Sequence, residues 1–276
     1  MSWLTKITEG SKGREEMKTR AQRLVVLAGA ALLYFGIPAF GEDVTIDFTG
    51  VVNSNVQVLG AYAGYYSGTV NGVSSQPGFI CDDYNNEIFL PSESWQATAT
   101  TFSSLVTAGG QPTAALSTTL FGNNIGLPGY AAIAYLSNLM STTPASGQGD
   151  IAAAIWYIGS LNSSDPVPLS SLDATAQGYV TLLLGSSTQK GLYDGTDGPS
   201  KTPTAAAIAE LQGSNLWIYT PTGQDITPVG DPFPQEFIGN VSEGGGPFAY
   251  LLLASMACFG AIRFKSRSEV RNRKTT

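Results

Sequence analysis

The placement of positive charge limits which part of this chain can form a folded body. Of 14 Lys and Arg residues, six precede residue 24 and six follow residue 262, which leaves only Lys190 and Lys201 between them. Of the 21 acids, 17 lie in residues 42–246, and that stretch has neither Arg nor His. By simple counting the middle carries roughly −15, while both ends are basic. Such a surface repels nucleic acid and anionic lipid and attracts cations; the plainer reading of it is solubility. With the two ends set aside, about 200 of the 276 residues remain, enough for one domain with its own core. Low charge (13%) with 32 glycines suits a loop-rich extracellular domain better than a cytosolic enzyme.

The N-terminal end predicts a removable signal peptide over residues 1–41. Lys18, Arg20 and Arg23 form a basic region, Leu24 to Phe35 an apolar one, and Ala39 and Gly41 are the small residues expected before cleavage at Glu42. Met17 would give a well-proportioned start. The alternative is an uncleaved anchor, which the short apolar run and Pro38 disfavour.

At the other end, Pro247–Ile262 is an apolar run of 16 residues, followed at once by Arg263, Lys265 and Arg267. This predicts a single transmembrane helix over 247–262, stopped by those cations, and a basic cytoplasmic tail over 263–276. The acidic domain, 42–219, then lies outside, joined by a Pro/Gly-rich linker at 220–246.

Between the ends, residues 44–60 alternate as a strand or hairpin would, Asn71-Gly72 is a turn signal, and Phe79–Asp83 and Trp95–Phe102 read as strands. Helical stripes follow. They run through Tyr130, Ile133, Leu136 and Met140, then from an Asp150 N-cap through Ile151, Ala154, Ile155 and Ile158, then from Leu172 to Leu183, and finally after Thr202-Pro203 up to Gly213. Asn215–Tyr219 reads as a buried strand. The expected fold class is therefore α+β: a β-rich first half, a helical middle and a return strand, plus the C-terminal transmembrane helix.

The C-terminus resembles the PEP-CTERM sorting signal recognised by exosortases in Gram-negative bacteria. In Val241-Ser242-Glu243-Gly244, Glu243 matches the central Glu of that motif, and Ser242 and Gly244 stand where its two prolines would be. The resemblance covers about the last 36 residues. It implies export through signal peptidase and Sec-type machinery, an inner-membrane intermediate, an exosortase-like sorting enzyme as partner, and delivery to the cell surface or outside the cell. Residues 60–220 resemble the thioester-type domains of bacterial surface adhesins: Cys81 ends a Gly-Phe-Ile-Cys-Asp strand, and Ala154-Ile155-Trp156 matches the second motif. The Gln that would bond the Cys is replaced by Ala152, and Gln148 is off register, so the resemblance implies the fold without the reactive group.

Chemistry-bearing residues are sparse. Without His there is no Ser–His or Cys–His nucleophile. Cys81 is the only thiol outside the C-terminal apolar run, so no disulfide forms within the domain. Asp82, Asp83, Asn85, Asn86 and Glu87 put five oxygen-bearing side chains in six residues, and Asp194 and Asp197 mark a second such loop. Ca²⁺ takes about six to eight oxygens, so these are candidate cation ligands; the plainer reading is Asx turns. Trp95, Trp156 and Trp217 with Tyr62, Tyr65 and Tyr66 would form either a sugar-binding face or core. The acids show no arrangement typical of glycoside hydrolysis. These residues lead to the expectation of a non-enzymatic surface or matrix protein with structural or interaction roles. The alternative is an adhesin-like carbohydrate-binding module whose partner is extracellular polysaccharide.

Overall fold

The computed structural model describes residues 41–52, 56–84, 93–194, 202–222 and 235–240. All belong to one compact unit, Phe40–Gly244. Its strands are β1 (Glu42–Val51), β2 (Gln57–Val58), β3 (Ala61–Tyr62), β4 (Tyr66–Val70), β5 (Val73–Ser74), β6 (Phe79–Cys81), β7 (Ser94–Thr101), β8 (Trp217–Pro221) and β9 (Phe237–Gly239). Among the described residues five α-helices lie between β7 and β8: α1 (Ala114–Thr118), α2 (Gly122–Thr142), α3 (Ala145–Ser160), α4 (Ala174–Leu184) and α5 (Ala205–Gly213).

Six strands close on themselves. The order β1-β7-β8-β9-β6-β4 returns to β1 through a β1–β4 pairing, every pairing is antiparallel, and β5 extends β4. Closure follows from alternation. Val44, Ile46 and Phe48 of β1 and Trp95, Ala97 and Ala99 of β7 point inward, with polar residues between them. A barrel this narrow is filled by side chains, and the small Ala97 and Ala99 leave room for the rings of Trp95, Phe48, Phe79, Tyr219 and Phe237. The turn Asn71-Gly72, with φ of 51° and 78°, is the left-handed pair that a tight hairpin needs.

The helices form a second layer. Ile80, Ile218 and Ile238 face away from the barrel interior and join the cluster that holds Tyr130, Ile133, Leu136, Ile151, Ile155 and Trp156. Helix α2 is kinked at Gly126 (φ 63°, ψ −166°) just before Pro128, and its regular part carries the expected stripe. Helix α3 starts at Ala145, earlier than the expected Asp150 cap. Pro144 precedes it, and of the weak helix formers in its first turns Gly149 lies against Gln57 and Val58 of β2 and Gly147 beside Thr143. Asp173 caps α4, accepting from the Ala176 N–H at 2.8 Å, and Gly185 (φ 83°) ends it.

The expected fold class is corrected in two respects. The strands are not a β-rich half plus one return strand but a β-barrel that takes β8 and β9 from beyond the helices, so the domain is a barrel with a helical bundle. Strand β9 falls inside the segment read as a linker. Secondly, no helix of the described residues is long and apolar enough to cross a membrane. The segment expected to do so, 247–262, lies outside the described residues, as do the signal peptide and the basic tail.

Candidate functional site

Strand register brings the chemistry together. Cys81 pairs with Phe237, and Phe237 with Tyr219, all three facing the barrel interior. One residue further along, Asp82, Glu236 and Thr220 stand in a row across β6, β9 and β8, and pleat alternation turns them toward the helices. The Asp82 N–H reaches the Glu236 carbonyl at 3.5 Å, so the two acids are direct cross-strand neighbours.

Glu236 is fully buried and well supplied with donors. The Tyr130 hydroxyl on α2 donates to Oε1 at 2.6 Å, the Leu120 N–H donates to Oε2 at 2.8 Å, and the Thr220 hydroxyl also donates to Oε2. Asp82 is equally buried, and neither of its carboxyl oxygens meets a donor from the surrounding chain. Burial, then Glu236, then Asp83 hold the Asp82 carboxyl well above the usual carboxylate range. Glu236 is also raised by burial, against the lowering pull of Leu120, Thr220, Tyr130 and Asp82. Two buried carboxyls thus face each other across the strands, and Tyr130 ties Glu236 to the helical layer.

A second node adjoins it. The Cys81 thiol lies 2.8 Å from the Asp83 carbonyl and 3.3 Å from Oε1 of Gln235, and Trp156 Nε1 donates to the Cys81 carbonyl at 3.0 Å. Burial, then Asp83 and Asp82, push the thiol well up, so it has little thiolate character. The carboxamide brought to Cys81 is thus Gln235, not a residue of α3, where Ala152 is buried in the helical core.

Of the candidate cation ligands, Asp82 and Asp83 are buried at this node, and Asp82 is engaged with Glu236. Asp194 is buried elsewhere, at a bridge to Pro203. Asn85, Glu87 and Asp197 lie outside the described residues, as do Val241, Ser242, Glu243, Gly244, Arg263, Lys265 and Arg267. Among the described residues no group of three or more His, Cys, Asp and Glu is placed to hold a metal ion. Trp95, Trp156, Tyr65 and Tyr66 are buried, while Trp217 and Tyr62 are half-buried. A cleft of about 580 Å³ lies apart from the acid pair, lined by Gly110, Gln111, Leu116, Asn123, Leu127 and Ile208 among others.

Glu236, Tyr130, Thr220 and Gln235 were not singled out as site residues from sequence. The signal for the first was the alternation in Gln235-Glu236-Phe237-Ile238, masked by the prolines before it. No family model matches the chain, and no curated protein or solved structure is significantly similar to it.

Proposed function

We propose that this chain is an exported structural or interaction protein of a Gram-negative-type cell surface or extracellular matrix, delivered as one compact acidic domain. The observation that carries this reading is the extent of the compact unit, Phe40–Gly244. Its limits fall beside the two points where the sequence expects processing, Glu42 and Glu243. Signal peptidase, after Sec-type export, acts at the first, and an exosortase-like enzyme at the second. The acidic, nearly cation-free composition between those points suits a surface that stays soluble and avoids nucleic acid. The burial of Trp95, Trp156, Tyr65 and Tyr66 favours this reading over a carbohydrate-binding module, because rings meant for sugar stacking must be exposed.

The test is expression of the full chain in a Gram-negative-type bacterium and intact-mass analysis of protein recovered from the cell surface. The expected species begins at or within a few residues of Glu42 and ends near Glu243. Retention inside the cell with residues 24–35 still attached overturns the proposal. A polysaccharide-dependent change in Trp fluorescence would shift the function to the carbohydrate-binding alternative.

A further inference from the structure

We propose that Asp82 and Glu236 share a single proton, and that this acid pair is a pH-sensitive clasp fastening the barrel to the helical layer. The strand register makes the two acids face each other, since Asp82 follows Cys81 and Glu236 precedes Phe237, the partner of Cys81 on the adjacent antiparallel strand. Both residues are fully buried. Like charges directly opposed on a sheet are destabilising, and more so where water is excluded. Donors are divided unequally: Glu236 accepts from Leu120, Tyr130 and Thr220, while Asp82 has beside it only its own backbone N–H. The lowest-energy arrangement is therefore an Asp82 carboxylic acid whose O–H donates to the Glu236 carboxylate.

Among the described residues no cation is placed to relieve the pair. The titratable groups that face it are Asp83 and Cys81 beside Asp82, and Tyr130 on α2. From β8 comes the Thr220 hydroxyl, which does not titrate. Helix α3 approaches with Gly159 and Trp156, which do not titrate either. Lys190 is the only Lys or Arg among the described residues, and it lies at a bridge to Gly185, beyond the end of α4. Every titratable neighbour thus opposes a second negative charge.

Removing the shared proton leaves two carboxylates in contact across β6 and β9. The Tyr130 and Leu120 bonds are then made to a site under repulsion. The folded chain binds one proton more than the unfolded chain, whose Asp and Glu titrate near about 4. Stability from the clasp is complete below that value and falls as pH rises toward the native Asp82 titration. The folding equilibrium constant drops about tenfold per pH unit over that window.

The experiment is urea unfolding of the full chain from pH 4 to pH 9, for the native sequence and for Asp82→Asn, whose amide N–H donates to Glu236 at every pH. Native protein is expected to lose stability steadily with rising pH, and the variant to show a flatter profile. Parallel profiles, or native stability that rises over this range, overturn the proposal. So does stabilisation of the native protein by millimolar Ca²⁺ at pH 8 that Asp82→Asn lacks, because a cation would then bridge the carboxylates. If Asp82→Asn does not fold, infrared spectroscopy of the native chain decides. A protonated-carboxyl band that persists at pH 6, above the range of ordinary carboxylates, and is lost in Asp82→Asn or on further raising the pH supports the clasp, and its absence at pH 6 refutes it.

Discussion

The two faces of the barrel wall are held by opposite kinds of chemistry. Inside, Phe48 alone makes ring contacts with Phe237, Trp95, Phe79 and Tyr66 at centroid distances of 4.6, 4.8, 5.2 and 6.1 Å. Outside, against the helices, isoleucines and small alanines surround a row of polar groups, Asp82, Glu236 and Thr220. The inner face gains from apolar area and tolerates only shape change. The outer face depends on one correctly placed proton and three donors. Burial is nearly complete on both sides, so the contrast lies in sensitivity: the first face should respond to volume and the second to pH and to loss of single hydrogen bonds.

The largest expected effect tests the inner face. Phe48→Ala removes the ring at the centre of that network and leaves a cavity in a wall that cannot collapse, at a cost of about 3–5 kcal/mol. Urea unfolding at pH 5 measures it. A loss under 1 kcal/mol would mean the barrel interior is loosely packed, and the contrast between faces would fail.

The seam comes next. Tyr130→Phe keeps the ring but removes the hydroxyl that donates to Glu236, for a loss of about 1.5–3 kcal/mol because the acceptor is charged. The same change in an apolar contact would be almost silent, so a near-zero effect would argue that Glu236 is not a buried carboxylate. Gly159→Ala tests how closely α3 approaches β6. A Cβ there would lie 2.4 Å from the Asp82 carbonyl oxygen, and since backbone must move to admit it, about 1–3 kcal/mol should be lost. Calorimetry of the variant should show a lower midpoint; an unchanged midpoint would mean that the helix slides freely over the barrel.

Much of this architecture was legible where a short-range signal existed. Asn71-Gly72 marked its hairpin, and the alternations in β1 and β7 gave their inward faces. What local pattern could not carry was closure. The pairing of β1 with β4 depends on how far the whole sheet coils, and no residue of either strand encodes it alone. Strand β9 was hidden for another reason. It has three residues, too few for a visible alternation, and follows a Pro-rich stretch that reads as linker. The candidate site suffered from the same blindness. Asp82 stood out as one acid in an acidic run, but its partner Glu236 lies at the far end of the domain, and only the register makes them neighbours. Even the chemistry expected of Asp82 reversed. A run of acids suggests solvated carboxylates or cation ligands, whereas the fold buries Asp82 opposite another acid.

The smallest expected effect sets a surface acid against the buried pair. Asp173 caps α4 through the Ala176 N–H, and that bond, with help from Asp150, lowers its carboxyl below the usual range. Asp150, half-buried, is raised to about 6 by its burial and by Asp173. Asp173→Ala should cost about 1 kcal/mol at pH 7, the typical worth of an N-cap. The sign of its pH dependence is opposite to that of the clasp. A depressed native titration means the cap contributes fully above the unfolded Asp value of about 4 and is lost as pH falls through the native one. The difference between native and Asp173→Ala stability should therefore shrink between pH 5 and pH 2, while the Asp82→Asn difference should change on the alkaline side. Urea titrations of the two variants over pH 2–9 separate the two acids by direction alone, whatever their magnitudes. If both differences moved the same way with pH, Asp82 would be titrating as an ordinary surface carboxylate, and the contrast between a dry seam and a wet surface would be lost.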